Sequence, residues 1–357
     1  MIGIMSKLTT FVIKRWKLLL NITTVIALLI TLYFIRDDLV TTFKNLFHVN
    51  GLALLFMIPF EALNYHAQTK LYQKLFGIVE NKIEYSTLLK TTLELNFVNH
   101  VFPSGGAAGI SYFGFRLRGT NITGAKATMV QFIKLLLTVF SFEVLILLGV
   151  IFLAIGGKVN NFTILVSGVL ATLLLVGSAL FIYIIGNRQR INSFLEYFTV
   201  LLNRLLQIVR PGKDAINMKK ARGVFDDFHD TFLQMRQNKQ RMRAPFIYAL
   251  VMNLTEVAVV YTVFVAFGHF VNPGAVILAY GIANIAGFIS VLPGGVGIYE
   301  ALMIAVLLTA GISPKLSLPV IIMYRVLNSI LQLPAGYYLY QREISKHGRP
   351  PKPAEIL

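Results

Sequence analysis

The stretch from Glu94 to Gly119 is too apolar to lie in water and too interrupted to cross a membrane as one regular helix. Pro103 removes a backbone donor, and Gly105, Gly106 and Gly109 permit backbone shapes that a helix excludes. Irregular backbone at membrane depth is tolerated only where protein buries it or a water-filled cavity meets it. The stretch therefore predicts a re-entrant element beside an internal cavity.

A second interrupted apolar stretch runs from Tyr280 to Glu300, where Asn284 is followed by Pro293, Gly294 and Gly295. Paired interruptions in the two halves of a membrane protein are typical of a transport site. Helices that begin at mid-membrane direct their amides into the cavity, where an anionic phosphate is stabilised. The alternative is that the glycine turns only permit tight packing.

The composition predicts an all-α, polytopic membrane protein. Of the 357 residues, 56% are hydrophobic, and several apolar runs approach the 20 residues that a bilayer crossing requires. The net charge of +17 lies mostly beside these runs, so we expect no nucleic-acid partner. The chain contains no cysteine and no recognisable hydrolase, zinc or nucleotide motif, so we expect no catalytic residue, metal or cofactor.

The Lys and Arg distribution places both termini in the cytoplasm, with six full crossings and two re-entrant broken-helix pairs. The crossings are predicted near 18–35, 51–68, 127–155, 162–185, 245–268 and 318–340. The predicted segments are a first membrane half (1–185, re-entrant near 94–115), cytoplasmic basic amphipathic helices (186–243), a second membrane half (244–340, re-entrant near 276–311) and a cytoplasmic tail (341–357). An alternative counts 277–291 and 297–311 as thin spans.

The predicted intramembrane charges are Glu61, Lys134, Glu143, Glu256, Glu300 and Arg325. A charge at the bilayer centre costs about 2.5–3.5 kcal/mol, so we expect these residues to line an interior pathway or to pair with one another. The expected pairs are Glu256 with Arg325, and Glu61 with Lys134, although Lys134 could instead extend to the membrane surface.

The two halves carry similar features in the same order. Pro103 precedes Lys134 by nearly the same number of residues as Pro293 precedes Arg325, and a span with Glu and Asn precedes each proline. The charge distribution makes the two interrupted stretches enter from opposite sides, so we predict an inverted repeat. Chance agreement of a few polar positions is the alternative.

The motifs Asn96–Gly109 (NFVNHVFPSGGAAG) and Leu292–Glu300 (LPGGVGIYE) resemble the membrane domain of the lysylphosphatidylglycerol synthase/flippase family. The resemblance implies movement of aminoacylated phosphatidylglycerol from the inner to the outer leaflet, which confers resistance to cationic antimicrobial peptides. Aminoacyl transfer in this family belongs to a soluble C-terminal domain. We expect that domain to be absent, because only a short tail follows the last predicted span.

We therefore predict a lipid flippase or transporter in a bacterial plasma membrane. Its partner would be an anionic or aminoacylated phospholipid, with Arg325 and Lys134 offsetting phosphate charge. Glu61 and Glu256 would meet any cationic part of the headgroup. The predicted substrate-binding residues are Asn96, Asn99, His100, Ser104, Gly105, Gly106, Asn284, Gly294, Gly295, Arg325 and Asn328.

Two alternatives remain open from the sequence. One is a membrane enzyme of the phosphatidylglycerol lysyltransferase type. The other is a scaffold that binds a separate lipid synthase through the basic 186–243 segment. The sequence leaves the lipid, the energy source and any oligomer undetermined.

Overall fold

The computed structural model describes residues 40, 44, 48–101, 107–120, 122–156, 161–194, 196–197, 229–230, 232–234, 236–287 and 297–347. The chain divides into residues 1–49 and 50–357, and the following description concerns the second unit. The described residues of this unit form helices joined by turns, with no strand among them. This confirms the predicted all-α fold class.

Ten α-helices and two short 3-10 turns are described. In chain order the helices are α1 (Gly51–Leu55), α2 (Met57–Ile78), α3 (Tyr85–Val101), α4 (Ala107–Arg116), α5 (Gly124–Ile155), α6 (Asn161–Ile185), α7 (Arg243–Ala266), α8 (Pro273–Gly287), α9 (Ile298–Thr309) and α10 (Pro314–His347). The 3-10 turns are Arg118–Thr120 and Lys239–Met242.

Local sequence signals explain where several helices begin. The Asn50 side chain accepts hydrogen bonds from the first amides of α1, and the Thr123 side chain accepts one from Lys126 at the start of α5. These caps satisfy amides that have no partner within the helix. Pro273 and Pro314 occupy the first positions of α8 and α10, where a missing N–H costs nothing.

Three described segments are long and apolar enough to cross a membrane: Lys126–Ile155, Gln240–Ala266 and Pro314–Lys346. The shorter helices α8 and α9 are also apolar. On α6, large apolar side chains such as Leu173, Val176 and Leu180 are exposed, as expected for a surface that contacts lipid. These features support a polytopic membrane protein.

The predicted crossings differ from the helices in three respects. The first crossing, 18–35, lies outside the described residues. The second, 51–68, is divided at Phe56 into α1 and α2, and α2 continues to Ile78. Pro59 lies in the first turn of α2, where its missing N–H is tolerated. The last predicted crossing ends at 340, whereas α10 continues to His347.

The same series of helix lengths occurs twice. In what we call the first half, α2 to α5 have 22, 17, 10 and 32 residues. In the second half, α7 to α10 have 24, 15, 12 and 34. Each half thus has two short helices between two longer ones, and the first of them ends at Val101 or Gly287.

The two predicted interruptions lie between these short helices, at residues 102–106 and 288–296, outside the described residues. The predicted site residues Ser104, Gly105, Gly106, Gly294 and Gly295 fall there, as do Pro103 and Pro293.

Long helices of each half pack against helices of the other half, an arrangement that we call exchanged packing. Helix α2 packs along α7, α5 of the first half packs on α8 of the second, and α10 of the second half packs on α3 of the first. The exchanged contacts are close at glycines: Gly149 faces Gly274, and Gly336 lies against the backbone of Leu93. This matching set of contacts supports an internal repeat, while the opposite orientation of the halves in the membrane remains a prediction.

The close contact at Gly336 generates a test of this packing. A Cβ at Gly336 would lie 2.5 Å from the Leu93 carbonyl oxygen and 2.7 Å from the Phe97 Cβ. We expect Gly336→Ala to lower stability by about 1–3 kcal/mol, as overpacking typically does. Thermal unfolding in detergent measures this loss.

Gly114→Ala in α4 is the matched control, because no atom lies within 4 Å of its new Cβ. We expect that variant to unfold at or above the wild-type temperature, since alanine favours helix more than glycine. Equal melting temperatures for the Gly336→Ala protein and the wild type would contradict the exchanged packing of α10 on α3.

Candidate functional site

Two glutamates meet where the halves are joined along α2 and α7. The Gln332 side chain on α10 donates to Glu61 Oε2 at 3.0 Å and to Glu256 Oε1 at 3.4 Å. The second oxygen of Glu256 accepts from the Tyr324 hydroxyl at 3.0 Å and from Asn328 Nδ2 at 3.5 Å. We call these five residues the carboxyl cluster.

The cluster follows from helical spacing on α10. Tyr324, Asn328 and Gln332 are four residues apart, so their side chains form one stripe along the helix. The stripe meets Glu256 through Asn328, a predicted site residue, and through Gln332 and Tyr324, and it does not include Arg325, the expected partner of Glu256.

Arg325 instead pairs with Glu300 on α9. Its Nη1 donates to Glu300 Oε1, while Glu300 Oε2 accepts from the Gly297 amide at 2.7 Å. The guanidinium also lies 5.1 Å from the centre of the Tyr299 ring. The expected pair of Glu256 with Arg325 is therefore wrong, because one step along α10 turns Arg325 away from the stripe and towards α9.

The expected pair of Glu61 with Lys134 is also wrong. Lys134 on α5 lies over the Tyr72 ring, with its ammonium 5.2 Å from the ring centre, whereas Glu61 bonds to Gln332. Tyr72 is buried in an aromatic core with Phe76 and Phe113. Lys134 thus belongs to the core of the first half.

The remaining predicted intramembrane charge is Glu143, which is buried on α5. One of its carboxyl oxygens is buried without a hydrogen-bond partner.

Amides beside the carboxyl cluster join the helices. Gln68 donates to Asn64 Oδ1 at 2.7 Å, and Asn64 donates to the Met252 carbonyl at 2.8 Å and to Thr255 at 3.1 Å. The two bonds that Asn64 donates cross from α2 to α7, and the Gln68 bond within α2 holds the Asn64 side chain in place. Their geometry gives Asn64 and Gln68 a structural role in the contact between the halves.

The predicted headgroup residues of α3 lie at its C-terminal end. Asn99 and His100 are exposed, and Asn96 is half-buried. His100 Nδ1 donates to the Asn96 carbonyl at 2.8 Å, and the ring lies near enough to Arg325 for their charges to interact. The structure therefore brings His100 and Arg325 to the same region.

Two further predicted positions have local partners. The Asn99 side-chain amide lies directly over Gly109, so a Cβ at that position of α4 would force the Asn99 side chain to move. Asn284 is half-buried, and its side chain donates to the Tyr280 carbonyl one turn earlier at 2.9 Å.

Sequence reasoning missed four tyrosines around the cluster. The hydroxyls lie within electrostatic range of Glu256, and they come from α2, α8, α9 and α10 as Tyr65, Tyr280, Tyr299 and Tyr324. A search for uncharged hydrogen-bonding residues at four-residue spacing from Asn328 would have found Tyr324 and Gln332.

A second polar group that sequence reasoning missed is centred on Glu94. This carboxylate is 1% exposed and accepts from the Tyr112 hydroxyl at 3.0 Å and from Arg116 Nε at 2.8 Å. Arg116 also contacts Glu343 on α10 at 3.3 Å. The group fastens α3 and α4 to the extended end of α10.

A cavity of about 590 Å³ lies elsewhere, between α5 and the end of α6. Its lining is mostly apolar and includes Arg190 and Arg236. It contains none of the predicted site residues.

Comparison with known proteins identifies the family of this chain. A family model described as the lysylphosphatidylglycerol synthase TM region matches residues 17–336, which include every helix of both halves except the last turns of α10. The chain belongs to this family. The resemblance drawn from the two interrupted motifs is therefore confirmed.

Two curated members of similar sequence are archaeal. A UPF0104 membrane protein of Pyrococcus horikoshii is 21% identical over 239 residues, which are 65% of this chain and 69% of that protein. A UPF0104 membrane protein of Methanothermobacter thermautotrophicus is 26% identical over 110 residues, 31% of this chain and 32% of that protein. Both names describe a membrane protein and state no activity.

The two possible partners of Arg325 can be separated by double-mutant cycles. We expect Arg325→Gln and Glu300→Gln to show a coupling energy of about 1–3 kcal/mol. That range lies between exposed pairs, at about 0.2–1 kcal/mol, and fully buried ones, at about 3–5 kcal/mol. Thermal unfolding of the four proteins measures it.

The control cycle combines Arg325→Gln with Glu256→Gln, for which we expect a clearly smaller coupling. A larger coupling with Glu256 than with Glu300 would contradict the assignment of Arg325 to α9.

Proposed function

We propose that this protein moves a phospholipid between the two leaflets of a membrane. The observation that carries the proposal is the carboxyl cluster, a polar group held between two similar halves whose short helices flank the interrupted motifs. Intramembrane ionisable residues of this kind typically mark a transport pathway. The family description, which names lysylphosphatidylglycerol synthase, supports a phospholipid substrate.

The physical task explains why a polar interior is needed. A phosphate headgroup that crosses about 30 Å of hydrocarbon gives up its bonds to water and needs replacements along the way. His100 and the partly exposed Arg325 stand beside the cluster, where they can meet an anionic headgroup. The acyl chains stay in the bilayer, against apolar outer surfaces such as that of α6.

The lipid we propose is phosphatidylglycerol or an aminoacylated form of it. Arg325 is already bound to Glu300, but its guanidinium has five N–H donors. A lipid phosphate could therefore bind the donors that Glu300 does not use. Arg325 faces α9, whereas Glu256 contacts the stripe of α10 that carries Tyr324 and Asn328, and its carboxyl offers a site for an amine. The anionic and cationic parts of an aminoacylated headgroup would then meet different faces of α10.

Reconstitution in liposomes tests the proposal. We expect the purified protein to exchange a fluorescent phosphatidylglycerol between leaflets without aminoacyl-tRNA or nucleotide, as measured by quenching of the outer-leaflet probe with dithionite. Exchange that requires aminoacyl-tRNA would favour an enzyme. No exchange under either condition would favour a scaffold for a separate synthase.

His100 supplies a site variant with a matched control. We expect His100→Ala to reduce exchange several-fold, because it removes an exposed polar group next to Arg325. His269, exposed beyond the end of α7, provides the control His269→Ala, which should leave exchange unchanged. Equal rates for both variants would exclude His100 from the lipid path.

A separate prediction concerns the membrane topology. From the distribution of Lys and Arg, we expect both termini and the 186–243 segment to lie in the cytoplasm. The chain has no cysteine, so single cysteines can be introduced without background. We expect cysteines at Asn192 and Asn238 to resist an impermeant maleimide added to intact cells and to react after lysis. Labelling in intact cells would contradict this topology.

A further inference from the structure

We propose that Glu61 and Glu256 hold a single proton between them and that binding and release of this proton drive lipid movement. The first part concerns a proton site and stands on geometry alone. The second part rests on the proposed function.

Among the described residues, no cation forms an ion pair or hydrogen bond with either carboxyl of the pair. Gln332, Asn328 and Tyr324 supply uncharged donors, and the other phenols that face the pair belong to Tyr65, Tyr280 and Tyr299. Phenols are neutral near neutral pH, so they offset no carboxylate charge.

Several charged or titratable groups on the surrounding helices have other partners. On α9 and α10, Glu300 binds Arg325, and on α5 Lys134 lies over the Tyr72 ring. On α3, His100 bonds to the Asn96 carbonyl and interacts with Arg325. No described ion pair therefore neutralises Glu61 or Glu256.

Two ionised carboxylates joined by one amide repel each other strongly when protein rather than water surrounds them. A proton on one of them removes this repulsion and leaves a neutral acid beside a single carboxylate, as in other close carboxyl pairs. The proton comes from water, and its binding breaks no other covalent bond of the protein.

The hydrogen bonds indicate which glutamate holds the proton. Glu256 receives donors from Gln332, Tyr324 and Asn328, a number suited to a carboxylate. Glu61 is only 5% exposed and receives one donor from the described residues, among which its buried Oε1 has no partner. An unsatisfied buried oxygen costs much more when it is charged than when it belongs to a neutral acid, so the proton belongs on Glu61.

The position of the carboxyl pair allows proton binding to be coupled to movement of one half relative to the other. Glu61 lies on α2 of the first half, while Glu256 and Gln332 lie on α7 and α10 of the second. A movement of one half against the other breaks the Gln332 bridge, and the separated carboxyls no longer need to share a proton. A proton gradient can thereby bias the conformations between which a lipid moves.

Infrared spectroscopy tests the proton site without reference to transport. At neutral pH, the difference spectrum between wild type and Glu61→Gln should contain a carboxylic-acid C=O band from the wild type that shifts in D₂O. The exposed Glu84 provides the control Glu84→Gln, whose difference spectrum should contain only ionised carboxylate bands. Any acid band from the buried Glu143 is common to all samples and cancels.

A Glu61 difference spectrum with carboxylate bands alone would overturn the proton site. If Glu61→Gln does not fold, Glu61→Asp replaces it, and the acid band must then move to a new frequency. An unchanged acid band in that variant would also overturn the proposal.

A pH gradient across the liposomes tests the coupling. We expect the gradient to shift the leaflet distribution of fluorescent phosphatidylglycerol for the wild type and Glu84→Gln, and to have no effect with Glu61→Gln. Exchange by the wild type that ignores the gradient overturns coupling. An acid band without any lipid exchange supports the proton site and refutes the proposed function, so the two failures are distinguishable.

Discussion

The placement of two carboxyls between α2 and α7, the buried Glu61 and the half-buried Glu256, is the constraint on which the rest of the arrangement depends. Glu61 and Glu256 are tolerated there because α10 supplies Gln332, Asn328 and Tyr324 as donors. Those donors reach the site only if α10 crosses both helices, and α10 is held in place by its contact with α3. The carboxyl cluster therefore depends on the exchanged packing, because the packing of α10 on α3 brings the uncharged donors to Glu61 and Glu256.

Helix types and many positions were predictable because apolar runs and prolines act locally. The sequence located α5, α6 and α7 within a few residues. The extension of α10 to His347 was missed, since its last turns carry charges that are typical of a tail. Glu343 explains the extension, because it contacts Arg116 and gives that polar segment a protein partner.

The ion-pair and hydrogen-bond partners of the intramembrane charged residues could not be predicted from such local patterns. Residues three or four apart share a face, but successive residues on a helix differ by about 100° in direction. Tyr324 and Arg325 therefore meet different helices, and a choice between Glu256 and Glu300 requires the positions of α7 and α9 around α10. The uncharged donors were also overlooked, since hydropathy patterns single out charges far more readily than they do Gln or Tyr.

The exchanged packing also bears on how such a chain is made. During synthesis the first half leaves the ribosome long before α8 and α10, the helices that cover α5 and α3. Until they arrive, the Gly149 surface of α5 faces lipid, and Glu61 has no Gln332 to bind. The newly inserted first half is thus an incomplete intermediate whose polar groups wait for the end of translation, and a ribosome that stalls before α10 leaves a product suited to membrane quality control.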